Sequence, residues 1–179
     1  MANNPTNIFV SGDSTMTVDF DITGYNLSNM PTTVDQPLTI IDGGSLGLTS
    51  EDGENLNRSV STTALNAHQE ANVRMLVTDG TITISLSALE SNAIANRLYW
   101  GTSVGTGSED LDPAALTYVI GYYDTYDIQD GFEKAIRYAG LFSVTPNGDV
   151  ANQRGGASQF SFTFTSIGKV RRTDVVSGS

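Results

Sequence analysis

Two serine motifs in the sequence match patterns found in hydrolases. Gly101-Thr102-Ser103-Val104-Gly105 fits G-x-S-x-G, in which a sharp turn between a strand and a helix exposes a nucleophilic serine, and Gly12-Asp13-Ser14 resembles the start of a GDS-type esterase block. Such serines need an acid and a histidine to activate them. The one histidine, His68, precedes Ser103 in a polar stretch, and the segment before Ser103 has helical rather than strand spacing. The sequence therefore predicts no catalytic residue, and a hydrolase using Ser103 or Ser14 is the least favoured reading.

Metal and cofactor sites are not predicted either. The chain has no cysteine, which excludes disulfides and thiolate metal sites. The acidic groups at 51–54 and 124–130 lack the D-x-D-x-D-G spacing of a calcium loop, so solvated acidic loops are the favoured interpretation. The glycines at 43, 44 and 47 lack the G-K-[ST] sequence of a phosphate-binding loop.

The charge of the chain is negative and unevenly distributed. Its 179 residues carry 20 acidic and 9 basic side chains, a net charge of −11. Residues 1–57 contain eight carboxylates and neither lysine nor arginine, whereas three basic residues lie within 169–172. Because nucleic-acid-binding surfaces need clustered basic side chains, the excess of acidic over basic residues predicts repulsion of DNA. Patches of opposite sign on one chain also permit head-to-tail self-association, although a solvated basic tail explains the charge equally well.

The elements that position these residues are mainly strands. Alternating apolar and polar residues occur at 16–23, 81–86, 116–122, 133–145 and 160–165, and this period of two is typical of half-buried antiparallel strands. Turn sequences at Asp79-Gly80, Asp130-Gly131 and Asn147-Gly148 predict hairpins between neighbouring strands. No apolar run is long enough to span a membrane, and the polar N-terminus contains no export signal.

One helix interrupts the strands. Ser87-Ala88-Leu89-Glu90 fits a capping box, apolar residues follow at helical spacing, and Gly101 provides a stop. These signals predict a helix over about 88–99.

Long polar stretches at 42–72 and 101–114 predict loops. The fold class is thus mainly β, with antiparallel strands and one helix, in a single domain over 1–179 with a core at about 8–168 and a basic tail at 169–179.

This order of elements resembles the major tail tube proteins of long-tailed, siphovirus-like bacteriophages. The resemblance rests on the segment Gly44-Ser45-Leu46-Gly47-Leu48-Thr49-Ser50-Glu51-Asp52-Gly53, the polar arm after it, the strands at 73–77 and 81–86, and the helix ending Leu98-Tyr99-Trp100-Gly101. The strands at 118–123, 132–144 and 160–164 fit the closing strands of the family.

The resemblance implies an antiparallel β-sandwich or barrel with one flanking helix, and a structural virion protein. Family members assemble in the host cytoplasm into rings, here expected to be six-fold, which stack into the tail tube and conduct viral DNA into the host without binding it specifically. The expected partners are other copies of the chain and the tape-measure, tail terminator and baseplate proteins, with no membrane and no cofactor. A long hairpin loop within Gly43–Asn72 would reach a neighbouring subunit, and an inner sheet would continue from subunit to subunit.

Two groups of residues become candidates under this reading. A lumen that conducts DNA needs a surface that phosphates do not adhere to, and we hypothesise that some acidic residues face it: Asp19, Asp21, Asp124 and Asp127. Charged residues of the arm and the C-terminus are candidates for contacts between subunits: Glu51, Asp52, Glu54, Arg58, His68, Lys169, Arg171 and Arg172. The alternative function is a monomeric carbohydrate-binding β-sandwich module, for which the tyrosines at 118, 122, 123 and 126 would provide a stacking platform, although sheet packing is the commoner role of such residues.

Overall fold

The segments in which apolar and polar side chains alternate form an antiparallel sheet. The computed structural model describes residues 11–50, 54–65, 74–89, 91–101, 116–127, 133–151 and 159–174. Its strands are β1 (Ser11–Asp19), β2 (Gly43–Ser45), β3 (Asn55–Leu65), β4 (Arg74–Ala88), β5 (Thr117–Asp127), β6 (Glu133–Ala151), β7 (Gln159–Ser166) and β8 (Arg171–Asp174). They form one sheet in the order β2-β1-β5-β6-β7-β4-β3, with β8 beside β6, and the order does not close on itself. The predicted mainly-β class with a single helix is confirmed.

The long strand β6 divides the sheet into two halves. Its first part, up to Val144, pairs with β5, and Ile136–Ala139 pairs with β8 on the other side. Its later part, from Phe142, pairs with β7. The half containing β1 and β5 and the half containing β7 and β4 contribute to one apolar core, whose members include Met16, Val119, Ile84 and the phenylalanines of β7. β7 and the part of β1 from Ser14 to Val18 bury every second residue there, as the period-two pattern predicted.

The single helix α1 spans Ala93–Trp100 and begins later than the predicted residue 88. Ser87 lies at the end of β4, where its hydroxyl bonds Ser161, and does not cap a helix. Asn92 is the N-cap instead, since its side-chain oxygen accepts the N–H of Ala95, and Gly101 ends the helix in the left-handed conformation at φ +74°. The helix packs Ala95 and Leu98 into the core.

Two predicted hairpin turns lie inside strands. β4 runs through Asp79-Gly80, and the irregularity there is a β-bulge, with Ser61 opposite Asp79 and Thr62 opposite Val77. Likewise, β6 runs through Asn147-Gly148, where its pairing with β7 changes register. The turn at Asp130-Gly131 lies outside the described residues, but the strands on either side of it do pair antiparallel.

The segment between β2 and β3 bridges the two ends of the strand order. Leu46 N–H bonds the carbonyl of Met16 in β1 at 2.9 Å, whereas Ser50 N–H bonds the carbonyl of Ser87 in β4 at 2.8 Å. Leu46 is fully buried in the core. The predicted loop region at 42–72 therefore holds one core residue and the strands β2 and β3.

A second covering layer consists of residues 20–42, which we call the strap. The strap packs Met30, Leu38 and Ile40 over Ile120 and Tyr122 of β5, on the face of β5 that points away from the main core. It contains one turn of 3-10 helix, Leu27–Asn29, capped by Asn26. Within the part of the chain that the structure describes, no helix is long and apolar enough to cross a membrane.

Candidate assembly surfaces

The outer face of β3, β4, β7 and the Ser143–Asn147 part of β6 carries hydroxyl and amide side chains, and we call it the hydroxyl face. Strand register sets these residues side by side in rungs, such as Asn57, Thr83, Thr165 and Ser143. Its members are Asn55, Asn57, Ser59, Thr81, Thr83, Ser85, Ser87, Ser161, Thr163, Thr165, Ser143, Thr145 and Asn147. The intervening residues of β7 and of the later part of β4, such as Phe164 and Ile84, are buried in the core. These members carry no charged group, and Asp79, opposite Ser61, lies beyond the face at its outer end.

Hydrogen bonds across strands order part of this face. Ser87 and Ser161 hydroxyls lie 2.8 Å apart, and Asn147 Nδ2 donates to the Thr163 hydroxyl at 2.5 Å. Hydroxyl groups bonded to one another in this way still keep spare donors and acceptors for water. The face is thus a wettable, uncharged surface supported by a packed phenylalanine layer.

Both margins of the hydroxyl face end in unpaired strand edges among the described residues. β3 pairs with β4 on one side, and no described strand pairs with its other side. β6 pairs with β5 only as far as Val144, so Thr145–Asn147 pairs with β7 alone. Pro146 lies in this stretch, which suits an edge because proline cannot donate to a ladder. Exposed edges are templates for pairing with another chain.

The opposite face of the β3–β4 hairpin forms a groove, which we call the arm groove. It has a volume of about 380 Å³, and its wall includes Val60, Val77 and Ile82 from the hairpin, Leu27 from the strap, and the cations Arg58 and Lys169. Val60 and Val77 are 42% and 69% exposed. Neither cation has a salt bridge among the described residues. The basic side chains of this region therefore lie beside an apolar surface and away from the hydroxyl face.

Of the four predicted lumen-facing carboxylates, Asp19 and Asp124 are buried inside the subunit. Asp19 accepts the backbone N–H groups of Asp21, Ile41 and Asp42 at 2.8–3.0 Å, which fastens both ends of the strap to β1. Hydrogen bonds from several backbone donors stabilise a buried carboxylate as well as a salt bridge does. At 2% exposure, Asp19 organises the strap and offers no charge to the surface.

Asp124 forms a buried ion pair with Arg137 in the neighbouring strand. Arg137 Nε and Nη2 donate to the two carboxylate oxygens at 2.7 and 3.0 Å, and Nη1 donates to the strap carbonyl of Gln36 at 2.9 Å. The two residues are direct partners in the β5–β6 register and are 3% and 1% exposed. The charge of Asp124 is thereby neutralised within the fold.

The other two predicted carboxylates are placed differently. Asp21 lies at the start of the strap, partly exposed, and hydrogen bonds from the hydroxyl and N–H of Thr23 hold the pKa of its carboxyl below the usual range. Asp127 ends β5 opposite Glu133. A lumen-facing role for these carboxylates stays a prediction, and Asp21 is the one that the described surface leaves partly accessible.

Glu54, predicted at a subunit contact, directly precedes β3 and connects the start of that strand to β1 and β5. Its carboxylate accepts hydrogen bonds from the hydroxyl of Ser14 and, at 3.5 Å, from that of Tyr123. Burial first, and then the charge of Glu54, raises the pKa of Tyr123 to about 12. Ser14, named above as an esterase-like serine, is thus enclosed in a structural cluster. Glu51, Asp52 and His68 lie outside the described residues.

The remaining predicted contact residues are basic. Arg58 is exposed on β3, and Lys169 is exposed at the arm groove. Arg171 donates to the strap carbonyl of Met30, while Arg172 forms an exposed ion pair of 2.7 Å with Asp174. Part of the segment predicted as a basic tail is therefore strand β8, which pairs with β6.

The tyrosine platform of the alternative function is largely internal. Tyr122 and Tyr123 are 5% and 6% exposed, on opposite faces of β5, and Tyr118 is the exposed member at 44%. Burial raises the pKa of Tyr122 as well. Stacking on a sugar needs an accessible ring face, so this cluster fits packing rather than glycan binding. Among the described residues, no group of three potential metal ligands converges.

No protein-family model matches the chain, and no curated protein matches its sequence. Among solved structures, the chain is similar to a chain in "Cryo-EM structure of the anti-feeding prophage (AFP) baseplate, 6-fold symmetrised", with a TM-score of 0.49 and 11% identity over 98% of this chain and 99% of that chain. Inference about function therefore depends on the surfaces described above.

Proposed function

We propose that the chain is a structural virion protein of a phage tail and, more specifically, the tail tube subunit of a long-tailed bacteriophage. Copies would join into rings of six, and the rings would stack into a tube that conducts viral DNA. The observation that carries this proposal is the hydroxyl face, an uncharged sheet surface with an open strand edge at each margin. A surface of this kind suits a lining that continues from one subunit to the next.

Strand direction is compatible with a continuous ring. The pairs β3–β4, β4–β7 and β7–β6 are all antiparallel, so β3 and β6 run in opposite directions at the two margins of the four-strand half. Rotation about an axis along the strands keeps these directions. The β3 edge of one copy would therefore meet the β6 edge of the next as an antiparallel pair, and a closed ring of such contacts leaves no exposed edge.

Cargo chemistry also supports a lining role. Binding to DNA comes mainly from lysine and arginine contacts to phosphates, and the hydroxyl face has neither. Arg58, the basic residue of β3, points to the opposite face, where it lines the arm groove. DNA would pass over hydrated hydroxyl and amide groups without a site to hold it.

The proposal extends to the setting in which the protein works. The subunit would act without turnover as a non-enzymatic part of the virion tail, assembled in the host cytoplasm, and would meet tape-measure, terminator and baseplate proteins along and at the ends of the tube. These contacts follow from the tube role and need no cofactor.

Electron microscopy with strand-edge variants tests this function. Consecutive N–H groups of an antiparallel strand point to opposite sides of the strand. Proline has no N–H group, so one of the two variants Asn57→Pro and Arg58→Pro removes a donor from the outer edge of β3, and the other removes a donor that bonds β4. We expect wild-type protein to form rings or tubes as its concentration rises. The outer-edge variant should melt close to wild type yet stay unassembled, and Arg58→Ala controls for the lost charge.

Two outcomes would contradict the proposal. One is a wild-type protein that stays monomeric at every concentration, especially if it binds a glycan in calorimetry, as the alternative function predicts. The other is a pair of folded proline variants that both assemble like wild type, because the β3 edge would then have no part in joining copies.

A further inference from the structure

At the arm groove, two cations that form no salt bridge among the described residues lie beside exposed apolar side chains. Arg58 and Lys169 flank Val60 and Ile82 in a chain whose net charge is −11. Exposed apolar side chains beside unmatched charges mark a surface suited to a partner of opposite charge. A suitable occupant would present an aliphatic side chain between carboxylates.

The same chain carries such a feature at the two ends of the strap, which we call the Ile41 knob. Ile41 is 70% exposed and Ile22 is 38% exposed. Asp19 holds the two strap ends together by accepting the N–H groups of Asp21, Ile41 and Asp42. Asp21 directly precedes Ile22 and Asp42 directly follows Ile41, so each isoleucine of the knob has a carboxylate next to it in the chain.

The knob is rigidly supported. Asp42 bonds Arg97 of α1 at 2.9 Å, which keeps the pKa of its carboxyl below the usual range, and Arg97 also stacks on Phe20 with its guanidinium carbon 3.8 Å from the ring centroid. The carboxylates therefore stay charged at neutral pH. A preformed knob loses little conformational entropy on binding.

We propose that the Ile41 knob of one copy docks in the arm groove of a second copy. This inference rests on the proposed self-assembly and specifies one of its contacts. The knob adjoins β1 and β2, at one end of the strand order, and the groove adjoins β4 and β3, at the other end. Because the two surfaces share no residue, the contact is heterologous and repeats from copy to copy. Ile41 enters the apolar wall, and Asp21, which has no salt bridge among the described residues, faces Arg58 and Lys169, whereas Asp42 keeps its pair with Arg97.

Cysteine trapping tests the contact directly, since the chain has no cysteine of its own. Ile41→Cys and Val60→Cys are made in separate proteins, mixed in equal amounts, assembled and mildly oxidised. A disulfide needs Cβ atoms about 3.5–4.5 Å apart, so a disulfide between the two variants reports docking between copies. Leu48→Cys is the matched control, because Leu48 is 65% exposed and lies outside the knob.

The expected result is a cross-linked Ile41→Cys/Val60→Cys dimer as the main oxidised product, with little from Leu48→Cys/Val60→Cys. If tubes or rings form but the two mixtures cross-link equally, the knob does not enter the groove and the proposed function still stands. If microscopy shows no assembly of the wild type, both the contact and the proposed function are contradicted.

Charge reversal provides a second readout that leaves the core intact. The double change Arg58→Glu and Lys169→Glu should raise the concentration needed for assembly roughly three- to tenfold at low salt, and salt should shrink the difference. Arg172→Glu is the control, because Arg172 already pairs with Asp174 in its own chain. An unchanged assembly concentration in the double variant, or an equal rise in the control, would overturn the proposal.

Discussion

Single residues show how far side-chain type alone predicts a role. The alternation of β1 placed Asp19 on a polar strand face, whereas Asp124 follows Ile120 and Tyr122 on the apolar face of the β5 pattern. Both are buried because the strap covers them: its Ile41 N–H bonds Asp19, and its Gln36 carbonyl bonds Arg137, the ion-pair partner of Asp124. No local sequence pattern predicts that the strap covers these two carboxylates. The absence of a predicted catalytic or metal site stays a prediction, although Ser14 is enclosed by Glu54 and Tyr123.

The Asp124–Arg137 pair leads to a stability prediction. Arg137→Met should lower the free energy of unfolding by about 3–5 kcal/mol, because it leaves the buried Asp124 carboxylate without its bidentate partner. The double variant Asp124→Leu/Arg137→Met should recover much of this loss. Urea unfolding of the three proteins measures it, and a double variant less stable than Arg137→Met would contradict the interpretation.

Tyr123 leads to a pH prediction. Its pKa is raised from the usual 10.0 to about 12 in the folded protein, so folding favours the neutral phenol. The associated stability is fully present below pH 10 and is lost as the pH rises through about 12, a contribution of about 2 kcal/mol. Tyr123→Phe should therefore lose less stability than wild type between pH 10 and 12. Parallel curves of unfolding free energy against pH would refute this assignment.

At the scale of elements, apolar periodicity predicted the strands correctly, whereas two short turn motifs predicted hairpin turns at positions that lie inside strands. The pattern at 160–165 corresponds to β7, whereas Asp79-Gly80 is a bulge within β4 because β3 pairs with that strand on both sides of it, from Arg74 to Ser85. Ser87 fitted a capping box but is used by the sheet, where it bonds Ser161. A local turn or capping motif does not determine the structure where strand pairing with a distant segment satisfies the same backbone hydrogen-bonding groups.

The observed helix start can be checked by substitution. Asn92→Ala should destabilise the protein by about 1 kcal/mol, because the N–H of Ala95 loses its side-chain acceptor. Glu90→Ala removes the acidic residue of the predicted capping box and should change stability by less than about 0.5 kcal/mol. Thermal melts compare the two, and the reverse order of effects would favour the helix start at 88.

For the whole molecule, the sequence predicted the class of fold but not which surfaces face outward together. Thr81 to Ser85 and Ser161 to Thr165 were visible as polar strand faces, yet only the pairing of β4 with β7 makes them one surface. The same pairing leaves Arg58 and Lys169 on the other side, at the arm groove. Register, which a single sequence does not specify, thus separates the uncharged surface from the basic one.

The proposed lining predicts that one lysine per subunit would make the tube hold DNA. Thr165→Lys puts a cation in the middle of the hydroxyl face, repeated around every ring, whereas Thr165→Asn keeps the face neutral. Tubes of the lysine variant should retain double-stranded DNA at low salt and release it as salt rises. Sedimentation with labelled DNA measures retention, and equal retention by both variants would argue against a lumen position for this face.

The most direct measurement of the central claim is a cryo-EM reconstruction of the assembled wild-type protein, with strands resolved. The account predicts a tube in which the hydroxyl face lines the lumen and the β3 edge of each subunit pairs with the β6 edge of the next. A protein that remains monomeric under all conditions, or a tube with the hydroxyl face on its exterior, would contradict it.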